Sequence, residues 1–256
     1  MKTHLNHPCS LLLTALSLSI LSSTSYADWG VGLRLDNEDM RYKDNNDIKI
    51  GALFNIQYQG AKFNIDDNVM SYNFTHSNTL AAEVIVASKN RGFTAKDNKL
   101  FKGMANRDVS VDLGGRIIAE TNFGAAVLDV TKDVANSKGY EASFKLGGIS
   151  PHAPHWTGER KINVAAMGGV RYQSNKVADY YYGVKKNEAT AKRSAYKAKS
   201  AITPFVGVEA QANLTQHISL RGSLGVEKTA KSIRNSPLTD NKNYNAEARL
   251  GIIYWF

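Results

Sequence analysis

The chain has 256 residues, a formal net charge of +9 and a single cysteine, Cys9. One cysteine excludes an internal disulfide framework and a thiolate metal cage. No P-loop, no dinucleotide-binding glycine fingerprint and no HExxH pair occurs in the sequence.

The N-terminus predicts export. Lys2 supplies a positive start and Leu11 to Leu21 an apolar run. Ser25 and Ala27 stand at the −3 and −1 positions, so cleavage is expected between Ala27 and Asp28. The run is shorter than the roughly 20 apolar residues needed to span about 30 Å of hydrocarbon. Cys9 precedes the run, which argues against a lipid-modified leader, and the only thiol would leave with it. Residues 28–256 are expected to form one domain. For an exported chain, the basic balance points to anionic lipopolysaccharide and cell-wall polymers, not to nucleic acid.

From Trp29 onward the dominant period is two. Trp29, Val31, Leu33 and Leu35 interleave with Gly30, Gly32 and Arg34, and Ile48, Ile50, Ala52, Phe54, Ile56 and Tyr58 continue the pattern. Weaker candidates follow at 60–66, 69–76 and 79–87. Val109 to Ile117 sets apolar residues opposite Asp112 and Arg116, and weaker segments lie at 122–130 and 139–148. Ile162 to Tyr172, the weaker 200–213, and Ile218 to Val226 opposite Arg221 and Glu227 come next. The last segment is the clearest. Tyr244, Ala246, Ala248, Leu250, Ile252, Tyr254 and Phe256 share one face, while Asn245, Glu247, Arg249 and Trp255 share the other. In strands such sets point to opposite sides, and the count is about twelve.

The connections alternate in length. Gln59-Gly60, His76-Ser77-Asn78, Ala119-Glu120-Thr121 and Leu214-Thr215 are short, whereas 36–47, 88–106, 131–138, 174–199 and 230–242 are long and polar. If the first strand begins in the periplasm, the short turns and both termini lie there and the long loops lie outside, the layout of outer-membrane barrels. Two connections fit poorly: Asp66-Asp67-Asn68 is very short for an external turn, and Ile149–Arg160 is long for a periplasmic one. An open sheet would leave two unpaired edges, and lipid offers backbone groups no partners. The expected fold class is therefore all-β, a transmembrane antiparallel up-and-down β-barrel. A soluble barrel or sandwich would turn the apolar face inward, and period alone does not separate the two. The closing Tyr254, Trp255 and Phe256 tip the balance, because an aromatic last strand ending in Phe resembles the assembly signal read by the outer-membrane insertion machinery.

Scattered pieces along 58–256 carry a resemblance. They are Tyr58-Gln59-Gly60-Ala61-Lys62-Phe63 with Tyr72-Asn73-Phe74; Gly103-Met104 and Arg107 before Val111-Asp112-Leu113-Gly114; Asp179-Tyr180-Tyr181-Tyr182-Gly183-Val184 with Ala189 and Tyr196; and Ser236-Pro237-Leu238 before Tyr244. In this order and spacing they resemble the MipA/OmpV family of outer-membrane proteins. The resemblance implies a β-barrel in the outer membrane; no cofactor is expected. For the best-described branch it implies a scaffold joining a murein lytic transglycosylase to a murein synthase; other branches are described as adhesins or antigens. Ser150–Arg160, with two histidines and two prolines, looks idiosyncratic beside these pieces.

Candidate sites each have a plain structural reading beside the functional one. Lys176, Lys185, Lys186, Lys192, Arg193, Lys197 and Lys199 crowd the 174–199 loop, either as a contact for lipopolysaccharide phosphates or as a solvated loop. Tyr180–Tyr182 reads as a rim girdle. His152 and His155 flank Pro154, which breaks a helical His pair, and a metal would need at least one more ligand. His76-Ser77 would need a third, orienting residue to act as a hydrolase, so no catalytic site is expected. Arg34, Asp112, Arg116, Arg221, Glu227, Glu247 and Arg249 form a lumen-facing charge ladder that either lines a path or plugs it. The leading expectation is a scaffold. A small channel, a surface adhesin and a lipid-acting barrel enzyme are the alternatives.

Overall fold

The computed structural model describes residues 28–37, 42–43, 50–77, 79–96, 98–122 and 124–256. The expected leader and most of the first long connection lie outside them. Twelve antiparallel strands follow one another around a closed barrel: β1 (Asp28–Asn37), β2 (Ile50–Gln59), β3 (Phe63–Asp66), β4 (Val69–His76), β5 (Leu80–Lys89), β6 (Ser110–Thr121), β7 (Gly124–Asp133), β8 (Tyr140–Gly147), β9 (Lys161–Gln173), β10 (Ala201–Asn213), β11 (Ile218–Lys228) and β12 (Tyr244–Trp255). Two short helices, α1 (Asn175–Tyr182) and α2 (Lys231–Arg234), lie in the long connections.

Closure is made by β1 against β12, with Val31 opposite Tyr254, Leu33 opposite Ile252 and Leu35 opposite Leu250. Because side chains alternate, a one-residue slip at this seam would turn every apolar residue of β12 inward. Gly32 fits the seam because a Cβ there would collide with the Ile252 carbonyl oxygen.

The chain is apolar outside and polar within. Val31, Leu33, Leu113, Leu128, Val164, Val206, Leu224 and Ile252 are exposed on the outer wall, while Asn55, Gln57, Asn73, Glu83, Asp112, Gln173, Gln211 and Glu227 are buried in the lumen. Among the described residues no helix is long and apolar enough to cross a membrane. Aromatic rings mark both borders of the belt. Trp29, Phe63, Tyr254 and Phe256 stand at the short-turn rim, and Tyr140, Tyr172 and Tyr244 at the long-loop rim.

Strand order matches the sequence reading, and the differences are local. Ala119-Glu120-Thr121 belongs to β6 and is not the turn. Glu120 pairs with Ala125 and Thr121 with Gly124, so the strand runs on through Thr121 before the chain reverses. Gly124 takes a left-handed φ of 100° that a side chain would resist. β3 is only four residues long, because Gly60–Lys62 forms the turn before it. Tyr180–Tyr182 do not form a lipid-facing girdle. Helical spacing on α1 puts Val177, Ala178, Tyr181 and Tyr182 on one buried face, where they join Tyr42, Phe93, Phe101, Met104, Val184, Ile233 and Leu238 in a compact cap over the long-loop end.

Closure yields a direct test. Gly32→Val should abolish the compact, heat-modifiable form on a gel, whereas Val31→Ile, facing outward on the same strand, should preserve it.

Candidate functional site

The barrel's short-turn mouth is filled by its own chain. β8 stops at Gly147, and Gly147 and Gly148 adopt left-handed φ values of 83° and 80°. A side chain at either position would run into Ala166 or Glu209, so glycine is needed for the chain to swing inward. The inserted segment is then fastened to the wall. The Ile149 amide donates to Glu209 Oε2 at 2.8 Å, and the Ser150 hydroxyl bonds Glu120. His152 Nε2 lies 2.8 Å from Glu83 Oε1. The amides of Gln59 and Gln211 donate to the carbonyls of Ala153 and Pro154, each at 3.4 Å. The His155 ring stacks on Trp255 at 4.1 Å, and its Nδ1 is 3.6 Å from Asp28. Trp255 is itself fully buried and donates to Ser219 Oγ at 2.9 Å. Residues 157–161 emerge exposed at the rim.

Above this plug lies a cavity of about 500 Å³. Its floor includes Ile149, Pro151, Val127, Met167 and Ile253, and its walls carry charge of both signs. The pairs are Arg116 with Asp129 at 2.7 Å, Lys145 with Glu209 at 3.2 Å, Arg171 with Glu227 at 3.1 Å and Arg221 with Asp66 at 3.4 Å. Arg34 grips both Asp36 and Asp67, and Arg249 lies 3.8 Å from Glu247. Toward the cap, Lys89 bridges Asp112 and Glu141, and Arg91 also binds Glu141. The charge ladder expected from β1, β6, β11 and β12 is thus present, and it is cross-braced by partners that periodicity did not identify. Pairing of opposed charges offsets the cost of holding them away from bulk water.

The short Asp66-Asp67-Asn68 turn, puzzling as an external loop, is explained by the same charges. Asp67 adopts a φ of 59°, which allows a two-residue reversal. Arg221 of β11 and Arg34 of β1 reach across the lumen to hold the two aspartates.

The basic loop separates into two populations. Lys185, Lys186, Lys192, Lys197 and Lys199 are exposed, but Arg193 is only 2% exposed. Its guanidinium donates to the backbone carbonyls of Leu100, Lys102 and Glu188, so it braces the cap from within. Glu188 is also buried, 3.0 Å from Arg107. Burial by itself would push its carboxyl up. The amides of Ala105 and Lys185 and the Arg107 guanidinium outweigh that and hold it below the usual range. On the last strand, Tyr254 and Phe256 face outward and Trp255 inward. The Ser77 hydroxyl is engaged with the backbone of Leu80, closing the β4–β5 turn.

Sequence reading missed Glu83, Glu209, Gln59 and Gln211 as anchors of the plug. The available signal was a polar residue at a lumen-facing position of a strand, which on a barrel interior is unremarkable until a partner is known.

A closed antiparallel barrel with an apolar belt, a polar interior and aromatic borders defines an outer-membrane β-barrel protein. Residues 29–256 match the family described as MltA-interacting protein MipA, and the chain belongs to that family. It is 25% identical to the outer membrane protein OmpV of Vibrio cholerae over 202 residues, covering 78% of this chain and 76% of the relative. It is 22% identical over 228 residues to the putative outer membrane protein YiaT of Escherichia coli K12, covering 88% and 89%. Among solved structures it is similar to an outer membrane channel from Pseudomonas putida F1, at 9% identity and a TM-score of 0.41, over 93% of this chain and 97% of that one. Its address is the outer membrane.

Two outcomes follow from the plug and the cap. Burial lowers the His155 pKa from 6.5 against the pull of nearby Asp28, with Arg221 and His217 adding to the lowering. The folded plug therefore binds this proton less readily than the released one. Its stability is full above about pH 6.5 and falls below that value. Hydrogen exchange of residues 149–156, corrected for intrinsic rates, should speed up between about pH 7.5 and pH 5.5, and His155→Phe should remove that dependence. In the cap, Arg107→Ala should cost about 3–5 kcal/mol by leaving Glu188 buried without its guanidinium. Limited proteolysis should then cut within 174–200 while the barrel stays compact.

Proposed function

We propose that this protein is a non-conducting scaffold of the outer membrane, with its termini and short-turn rim on the periplasmic side, and that this rim docks murein-remodelling enzymes. The supporting observation is the 148–156 plug, which fills the mouth on one end while the aromatic cap covers the other. A solute path along the axis meets protein at both ends, so transport is the less natural use of the barrel. Residues 157–161, presented at the rim by a braced plug, are a preformed docking surface needing little ordering on binding. The family's descriptive name points to a murein lytic transglycosylase as partner, and a murein synthase is the second enzyme such a scaffold would join.

Five exposed lysines on the cap, Lys185, Lys186, Lys192, Lys197 and Lys199, would then face outward among lipopolysaccharide phosphates. The channel reading keeps one specific support, the charged cavity of about 500 Å³. Two measurements separate the readings. In planar bilayers the scaffold is silent, whereas a channel shows steps. In envelope extracts the folded barrel retains a lytic transglycosylase, and Glu159→Ala with Arg160→Ala weakens that capture. Conductance in the unaltered barrel, or repeated failure to recover a murein enzyme, rejects the scaffold.

A further inference from the structure

β9 outlasts its neighbour β8. The two pair from Glu141 opposite Gln173 to Gly147 opposite Met167, and the Gly148 amide makes the last bond of that ladder, to the Ala166 carbonyl at 2.8 Å. Toward the short-turn rim, Lys161–Ala165 of β9 pair with β10 alone. The chain that would extend β8 has left the wall, since the Ile149 amide is bonded to Glu209 in the lumen and the residues after it form the plug.

The ladder fixes where the unpaired groups point. The Ala166 carbonyl faces the β8 side, so the N–H and C=O of Val164 and Ile162, at alternate positions below it, face that side too. Those of Asn163 and Ala165 face β10. Among the described residues, no backbone group meets Ile162 or Val164 on the β8 side. Both side chains face outward and are 74% and 68% exposed. The row of paired residues through Ile162 runs by Ala212, Leu220 and Ile252 to Leu33, so this edge belongs to the apolar belt. A backbone group in hydrocarbon needs a protein partner. Native edges that stay open are blunted by proline, charge or a bulge. Ile162-Asn163-Val164-Ala165 has no such residue, and its register with β10 is unbroken.

The complement of such an edge is another strand, which alone offers N–H and C=O at the spacing of the ladder. A second copy does not supply it. Two barrels side by side in one membrane have β9 running the same way, and strands tilted by about 35–45° would cross at about 70–90°. A foreign strand enters at the short-turn rim with a free end leading. Every pair in the barrel is antiparallel. A strand antiparallel to β9 runs toward the rim, so its leading, deeper end is an N-terminus. A free ammonium at that depth would be a charge in the belt, so the fitting terminus is acylated.

We propose that the lower edge of β9 docks the extended, N-acylated tail of a partner protein, added to the sheet beside Ile162 and Val164 with apolar residues at alternate positions toward lipid. Lys161–Ala165 give the tail roughly 16 Å of ladder at about 3.3 Å per residue. The site adjoins the exposed 157–161 segment and rests on that rim facing the periplasm, but it holds whichever protein brings the tail.

The test is amide exchange, read by NMR on the folded barrel in detergent micelles, with an N-octanoyl peptide alternating valine and threonine as the probe. Without peptide, Ile162 and Val164 should exchange about ten-fold or more faster than Asn163 and Ala165. The peptide should slow Ile162 and Val164 by about ten-fold or more and leave their neighbours unchanged. The same peptide N-methylated at each valine is as apolar but cannot donate to the ladder, and should protect neither. Val164→Pro removes an N–H that only the open edge uses, so it should keep heat-modifiable migration and lose the peptide; Ile162→Pro is the second such variant. A photoreactive group at the peptide's N-terminal end should label Ala166, and one at its C-terminal end Lys161. Protection by the N-methylated peptide, or protection that survives both proline changes, overturns the proposal. So do labels in the reverse order, or Ile162 and Val164 amides already as slow as their neighbours without peptide. The peptide test needs no murein enzyme, so its failure and that of the scaffold reading are told apart.

Discussion

A backbone amide in hydrocarbon has no water to turn to, and this constraint shapes the whole molecule. Each N–H and C=O in the belt must find a strand partner, which is why β1 returns to β12 rather than leaving an edge. Once the sheet is closed, alternation does the rest. One side chain in two meets lipid and must be apolar; the next meets an enclosed space and can be polar. The same rule that makes a soluble protein bury leucine makes this one expose Leu33, Leu113, Leu128 and Ile252.

The enclosed space then has its own requirement. Charges gathered in a narrow lumen with limited water are costly unless they are paired, and pairing needs partners from strands far apart in sequence. Asp112 and Glu141 share Lys89, and Asp66 meets Arg221 across 155 positions of the chain. The cap follows the same logic outside the belt. Arg193 and Arg107 are buried, but their donors are met by backbone carbonyls and by Glu188. Arg193, which reads as an anion contact from charge alone, is turned inward and engaged with backbone carbonyls.

Strand existence, order and facing were legible in the sequence because period two is a local property, visible in any run such as Val31, Leu33, Leu35. The charge ladder was legible for the same reason. What the sequence did not reveal depended on contacts between distant positions. His152 and His155 looked like an isolated pair beside Pro154 until Glu83, Trp255 and Asp28 were brought to them. The reversal after β6 was placed too early because Ala119-Glu120-Thr121 is polar enough to resemble a turn. Only the pairing of Thr121 with Gly124 shows the strand continuing. The tyrosine triplet followed helical spacing inside a loop otherwise dominated by lysine, which hid α1.

The two poorly fitting connections turn out to share a cause. A strand that stops early leaves its neighbour's backbone without a ladder, and both connections sit at such a place. β8 ends at Gly147, so Lys161–Ala165 of β9 have no β8 partner, and the chain leaving Gly147 crosses that mouth as the plug. β3 ends at Asp66, so among the described residues Ile50–Asn55 of β2 have no β3 partner, and there the chain reverses at once into β4, a reversal held by Arg34 on Asp67 and Arg221 on Asp66. The plug turns into the lumen, where side chains of Glu83, Glu120, Glu209, Gln59 and Gln211 hold it.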